Sequence, residues 1–595
     1  MSLNGMRIVS ELHVLGVALV LMAAAVGCAS GGRAVEPGRL VVEAPTLVCL
    51  GVRWYMAGDE NGNATVRVSY REQGAEAWRE AMPLFRVGTE PEAGEVETRL
   101  LTPEGREEWP FPAGNLFAGS VLGLRSDTAY EIRLELSDPD GGAATEIVEA
   151  RTRPEPVAPE PRRVLHVRPG DGGGAGTEAD PLRGLAAANA VARPGDLMLV
   201  HAGVYEGTFL TDKSGTAEAP IVWRGAGDGE AAMDAGRAER AVSANAVRHV
   251  FFEGLAIRNA EYGMVTHGAS DVVVRGCHFY GNEYGFAGYK HEPLMKNLYL
   301  ADNLFEGLST WPRTLGIEDR RAVQLSGEGH VVCYNRIRGF ADGIDIMSNP
   351  PNRAMDFYGN EISECTDDAI EMDYGQSNVR AFGNRITNCF EGISTQPLYG
   401  GPSYIVRNAM YNLEYTPFKM HNNPSGALYF HNTVVMHGTP WPLYTSAEVR
   451  NAVSRNNLYV GTEADYAMEF SPRMTGCDFD YDGFGGGPYA RFAKWNGRTY
   501  ETFEQFRNES GIERHAMVTE EGLFASGVAT PEDFTPQFSV EVNDLRLSAG
   551  SAAVDAGVAL PNINDGRAGS APDLGCYEYG EELPHYGPRG GDGGS

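Results

Sequence analysis

Short apolar runs, punctuated by glycine, asparagine and aspartate, fill most of this chain and predict many short strands. Over residues 38–153 apolar and polar positions alternate in Leu40-Val41-Val42, in Gly51 to Tyr55, in Ala64 to Tyr70 and in Ala129 to Glu135, which predicts an all-β sandwich. Pro154-Glu155-Pro156-Val157-Ala158-Pro159-Glu160-Pro161 follows, and the stretch 154–163 is expected to act as a semi-rigid spacer. From residue 164 the pattern changes. Asp180 to Ala192 reads as one short helix before the apolar run Leu197 to Val200, an arrangement that suits a cap over the first coil of a long series of strands.

The strongest signal is an internal repeat. Asn360, Asn384, Asn408, Asn432 and Asn456 recur in one short motif at a constant step of 24 residues; Asn335 precedes them by 25, and Cys277 and Asn303 fit with small insertions. A unit of that length cannot bury its apolar face alone, so neighbouring coils must complete one continuous core. Asparagine at a fixed turn hydrogen-bonds its copy in the next coil, a structural role. The same step sets Cys365 over Cys389 as a buried thiol stack. Residues 164–580 are therefore expected to form a parallel β-solenoid. Residues 484 to about 535 break the rhythm and include a helix near Tyr500 to Arg507. Asp544 to Gly557 and Pro572 to Tyr579 are expected to close the open end, and 581–595 reads as a disordered tail.

Charge and the N-terminal segment narrow the function. The formal net charge of -31 argues against a nucleic-acid partner, because polyanions repel. Arg7, an apolar run from Val14 to Val26 and Ala25-Val26-Gly27-Cys28 make residues 1–27 a secretory signal. The glycine–cysteine junction resembles the lipobox of bacterial lipoproteins, which implies lipidation of Cys28. With Ala29 rather than Asp after it, the resemblance implies an outer-membrane or surface location, the membrane being reached through Cys28 alone. The seven other cysteines are scattered and indicate neither zinc nor a disulfide framework. The stretch Leu124 to Tyr130, with Trp54, resembles the leucine-to-tyrosine signature of fibronectin type III modules. The chain is expected to be a monomer.

Used as a ruler, the repeat aligns a second strand in each coil. Gln324, Asp345, Glu371, Ser394, Lys419 and Tyr444 fall in one external column, and Asp373, Gln396 and His421 in a parallel one. Asp342, Asp345, Asp367, Asp368, Glu371 and Asp373 thus gather within two coils. Like charges so close raise one another's pKa unless a cation or a shared proton intervenes. Lys419 and His421 stand at the edge of the cluster as possible bases; Arg321, with Asp373, Gln396 and Tyr399, is a candidate for substrate binding. His267, Tyr289 and Trp311, like Tyr399, are candidate sugar platforms.

Over about 400 residues the pattern resembles the pectin-lyase-like family of right-handed β-helix proteins, which implies a polysaccharide substrate. Asp342, then Asp367-Asp368-Ala369-Ile370-Glu371, resemble the calcium-binding set of polysaccharide lyase family 9, and Phe418-Lys419-Met420 resembles its base strand. That resemblance implies a calcium ion held by Asp342, Asp367, Asp368 and Glu371 and β-elimination at a uronate with Lys419 as the base; the acid cluster itself adds Asp345 as a candidate metal ligand and Glu371 and His421 as candidate catalytic groups. Lys419 falls two coils after Glu371. Asp342-Gly343 with Asp367-Asp368 also resembles family 28 glycoside hydrolases, which implies an inverting hydrolase using Asp342, Asp367 and Asp368; the later His-Gly and Arg-Ile-Lys motifs of that family are absent, Glu391-Gly392-Ile393-Ser394 standing in the corresponding coil. A non-catalytic glycan binder is the third reading.

Overall fold

The computed structural model describes residues 33–87, 115–289, 294–313, 320–348, 351–445, 447–519 and 522–590. The signal segment and Cys28 lie outside them.

Residues 36–87 and 115–151 form two four-stranded antiparallel sheets. Their inward positions, Trp54, Val66, Phe117, Ile132 and Leu134, share one apolar core. The hydroxyl of Tyr130 accepts a hydrogen bond from the backbone N–H of Arg125 at 3.0 Å, pinning the turn before its own strand. A parallel β-solenoid of about 11 turns follows. One of its sheets has 14 strands in near-sequential order, from Arg163–Arg168 to Asp478–Asp480. A single core runs through the coils, lined by residues such as Val274, Ile337, Ile344, Ile370, Ile393 and Phe418.

The asparagine spine is present, with one shift. Asn303, Asn335, Asn360, Asn384, Asn408 and Asn432 each donate from Nδ2 to the side-chain oxygen of the next rung at 2.9–3.0 Å. Cys277 starts the line by donating its backbone N–H to Asn303. The rung after Asn432 is Asn457, not Asn456, because this coil is one residue longer; Asn456 instead bonds His431 and the carbonyl of Val558. Cys365 and Cys389 are fully buried and in contact, both as free thiols.

Three further expectations change. The proline-rich stretch lies against the solenoid rather than acting as a spacer: Glu155 accepts from Tyr299 at 2.7 Å, and the carbonyl of Pro156 accepts from Arg275 at 2.9 Å. The C-terminal segment covers a flank rather than the end. Leu545, Leu547, Leu574 and Tyr577 pack on Ala409, Tyr411, Val435 and Leu458, outward positions that are apolar and need shielding from water. Residues 581–590 are ordered against the coils, with the Arg589 guanidinium on Asp302 at 2.7 Å and on Glu155 at 2.7 Å. The predicted helices occur as Leu185–Val191 and Phe503–Ser510, the latter capped by the Thr502 hydroxyl.

The sandwich docks on the 14-stranded sheet. Ser120 donates to Asn378 and accepts from Arg380, both at 2.8 Å, and its N–H meets the Tyr404 hydroxyl at 2.9 Å. Arg380 is fully buried there and ion-paired to the equally buried Asp356. That face of the solenoid is closed; the acid cluster lies on another.

Candidate functional site

Strands Arg321–Leu325, Asp342–Ile346, Asp368–Glu371, Arg385–Ser394 and Ala409–Lys419 stack in parallel along one flank. Val323, Ile344, Ile370, Ile393 and Phe418 all point into the core and fix the rotation of each coil. Gln324, Asp345, Glu371, Ser394 and Lys419 then pair in succession, the external column expected from the 24-residue ruler. A second column joins Arg321 to Asp342, and Asp368 to Glu391 and Thr416. The two parts of this second column meet at Asp342 and Asp368, where the Asp368 N–H donates to Asp342 Oδ1 at 3.2 Å.

Lys419 is the centre of this arrangement. Its Nζ lies 2.6 Å from Asp368 Oδ2, 2.9 Å from Glu391 Oε2 and 3.9 Å from Asp367 Oδ1. Burial opposes its charge, but Asp368, Glu391, Asp367 and Asp373 together outweigh that and hold its pKa above the ordinary lysine value. A base needs the opposite shift. Lys419 is therefore a countercharge in this structure, correcting the expectation that it serves as a base.

The carboxyls divide by environment. Burial, reinforced by Asp368, pushes Asp367 up to about 6 against the pull of Lys419 and Arg313. Burial raises Asp373 to about 7, although Lys419, the Gln396 N–H and the Ser394 hydroxyl favour its charged form. Asp342, Glu371 and Glu391 are pushed well above the carboxylate range, in each case first by burial and then by neighbouring acids, with Arg321 or Lys419 opposing at Asp342 and Glu391. Asp368 is fully buried. Its Oδ2 is ion-paired to Lys419, and its Oδ1 has no hydrogen-bond partner among the described residues. His421 is half-buried, and burial followed by the charge of Lys419 lowers its pKa, leaving a neutral imidazole at neutral pH.

Several expected roles move. Arg321 binds Asp345 at 2.5 Å and Asp342 at 3.2 Å, so it neutralises the cluster and is not aimed at a substrate. Asp345 is occupied by Arg321 and by the Gln324 amide at 2.6 Å, and among the described residues neither it nor Glu371 joins a compact ligand set. Tyr399 is 2% exposed and tilts on Tyr374, and Trp311 is 8% exposed and edge-on to Phe534, so neither offers a free face. The Tyr289 side chain lies outside the described atoms. Gln396 contributes its backbone N–H to Asp373. Glu391, in the Glu391-Gly392-Ile393-Ser394 motif, is a functional group that the 24-residue step misses, because the step from 368 to 391 is one short of the repeat.

Asp342, Asp367 and Asp368 offer carboxylate oxygens all within 4.8 Å of one another, together with the unpaired Asp368 Oδ1. Oxygen donors of this kind suit a hard cation. However, an ammonium and a guanidinium already bond two of the three, so the donor set fits calcium poorly. The spacing is also tighter than the roughly 6.5–9.5 Å that leaves room for a water between the carboxyls of an inverting pair.

The fold and site define a β-solenoid protein with an acid–lysine cluster on one open flank. No family model matches the chain, and no curated protein matches it. Among solved structures it is similar to a Yersinia enterocolitica family 28 exopolygalacturonase, at 11% identity and TM-score 0.26, over 78% of this chain and 100% of that one. It is also similar to XylC in complex with xylose, at 10% identity and TM-score 0.42, over 71% and 99%. A third is the catalytic domain of a GH87 α-1,3-glucanase in complex with tetrasaccharides, at 9% identity and TM-score 0.22, over 74% and 88%. At these TM-scores none bears on activity, which is judged from the site alone.

Proposed function

We propose that this chain is an extracytoplasmic glycan-degrading enzyme that hydrolyses a glycosidic bond at the Asp367–Asp368 pair. One observation carries the reading: an acid with a pKa of about 6 sits beside a buried, ion-paired carboxylate whose second oxygen is unpaired. Adjacent carboxyls held in unlike environments are how acid and base roles are separated at one pH. Asp367, 17% exposed, donates its proton to the leaving oxygen. As that bond breaks, Asp368 Oδ1 takes the anomeric carbon as a glycosyl ester, and a water that gives its proton back to Asp367 then cleaves the ester, a two-step route that suits carboxyls this close. Lys419 keeps the Asp368 charge in place, and the Asp342 carboxyl receives the Asp368 N–H and fixes that strand. Export and anchoring through Cys28 rest on the sequence; loss of fatty-acid labelling in Cys28→Ser tests them.

Calcium-assisted elimination, with His421 as a neutral base, is the second reading, and it requires the cation to displace Lys419 and Arg321 from the oxygen trio. A screen of neutral and uronate-containing polysaccharides, with and without chelator, decides between the two. Hydrolysis releases reducing ends and survives chelator. An ultraviolet-absorbing unsaturated product that disappears with chelator would replace the hydrolytic reading with the eliminative one.

A further inference from the structure

Beyond the acid cluster, aromatic rings continue along the same flank. Phe390 precedes Glu391 in the coil after Asp367, and Tyr415 precedes Thr416 in the next. The Phe390 and Tyr415 rings stack at 5.7 Å with planes 16° apart, and Tyr444 follows at 6.1 Å and 30°. Tyr444 is 51% exposed. Two other aromatic sites on the coils are roofed by the chain itself: the Tyr358–Phe382 stack lies under the N-terminal sandwich region, and Tyr411 lies edge-on under Phe538. The Phe390–Tyr415–Tyr444 run joins none of the apolar cores among the described residues.

Charge narrows what fits there. Every cation named along this flank already serves the protein. Arg321 holds Asp342 and Asp345, Lys419 holds Asp368 and Glu391, and Lys494 holds Glu469 at 3.1 Å. Arg313 lies 4.1 Å over the Phe390 ring and donates to the Thr366 carbonyl, with Asp367 and Glu414 in its field. A polymer with a carboxylate on every residue would add anions to a surface whose cations are committed, inside a chain of net charge -31.

We infer that Tyr415 and Tyr444, buttressed by Phe390 under Arg313, form a binding platform for a neutral glycan, lying along the solenoid axis with apolar sugar edges on the rings and its reactive bond at Asp367. Rings supply apolar contact, and the Tyr415 hydroxyl with the Tyr444 hydroxyl, itself bonded to Glu469, supplies polar contact, a combination that suits a pyranose and needs no charge. This rests on the reading of the acid cluster as a glycan-processing site.

The test measures binding calorimetrically with Asp367→Asn, which keeps the side-chain shape and prevents turnover. The probes are xylo-oligosaccharides and α-1,3-gluco-oligosaccharides as neutral chains, and oligogalacturonates of matched length as the anionic one. One of the neutral probes is expected to bind more tightly than the oligogalacturonate, and Tyr444→Ala, added to this variant with unchanged Tm, weakens it by about three- to tenfold. Equal or tighter oligogalacturonate binding, indifference to both Tyr444→Ala and Tyr415→Ala, or no binding by any probe overturns the inference. Ring-dependent binding of a neutral probe that wild-type protein never cleaves sinks the hydrolase reading and leaves the platform standing.

Discussion

Lys419 Nζ reaches Asp368 Oδ2 at 2.6 Å across 51 residues of chain, spanning two coils to place one positive charge among several buried acids. Removing one partner of such a pair leaves an uncompensated buried charge. Lys419→Met is expected to cost about 3–5 kcal/mol in urea unfolding and to abolish activity. Lys419→Arg keeps the charge and should lose much less stability. Equal stability of Lys419→Met and wild type would mean that the acids are neutral without it.

The pH dependence follows from the carboxyls. Asp367 and Asp373 have folded pKa values of about 6 and about 7, above the ordinary value of about 3.9, so they bind protons more tightly folded than unfolded. Their contribution to stability is fully present below about 4 and is lost as pH rises through 6 and then 7. Hydrolysis is expected to fall over the same window as Asp367 loses its proton. A rate profile and a pH series of thermal unfolding check both, and Asp367→Asn should flatten the first step of the unfolding series.

Asn384 accepts from both the N–H and the Nδ2 of Asn360, and donates to Asn408 and to the Phe357 carbonyl, all while fully buried. Asn384→Ala strands polar groups on both neighbours, and a loss of about 2–4 kcal/mol is expected. Asn456→Ala, outside the spine, keeps the Asn432–Asn457–Asp482 run intact in denaturant melts monitored by circular dichroism and affects only the flank contacts to His431 and Val558.

Deleting residues up to 153 is expected to leave an aggregation-prone solenoid. The cut uncovers the fully buried Arg380–Asp356 pair and the apolar face around Tyr404 and Phe430. Light scattering reads the outcome. A monodisperse, fully stable fragment would show that the docked sandwich is dispensable.

The coil register was legible because outward and inward positions recur at a nearly fixed step, and the Asp345–Glu371–Ser394–Lys419 column follows from it. Single-residue variations in coil length were not legible, which is why the spine passes to Asn457 and why Glu391 faces Asp368. Side-chain reach was also hidden. Counting coils put Lys419 too far from the acids, but a long side chain folding back along the axis closes the gap. Arg321 reads as a surface cation until its two acidic neighbours are seen. The Asp356–Arg380 pair is spaced like any repeat position, and nothing in its spelling announces that another domain will bury it.

The asparagine line is a one-way conductor of hydrogen bonds. Each amide receives from the coil before and gives to the coil after, so the line has unlike ends: a bare backbone N–H at Cys277 and a residue that only needs to receive at Asp482, which takes both the N–H and the Nδ2 of Asn457. An acceptor-only side chain is a stop signal for such a line. A duplicated coil inserted between Asn335 and Asn432 extends it without conflict, whereas one added beyond Asp482 finds no amide there and only a backbone N–H already given to Glu513, so growth of this molecule by duplication is easiest in its interior.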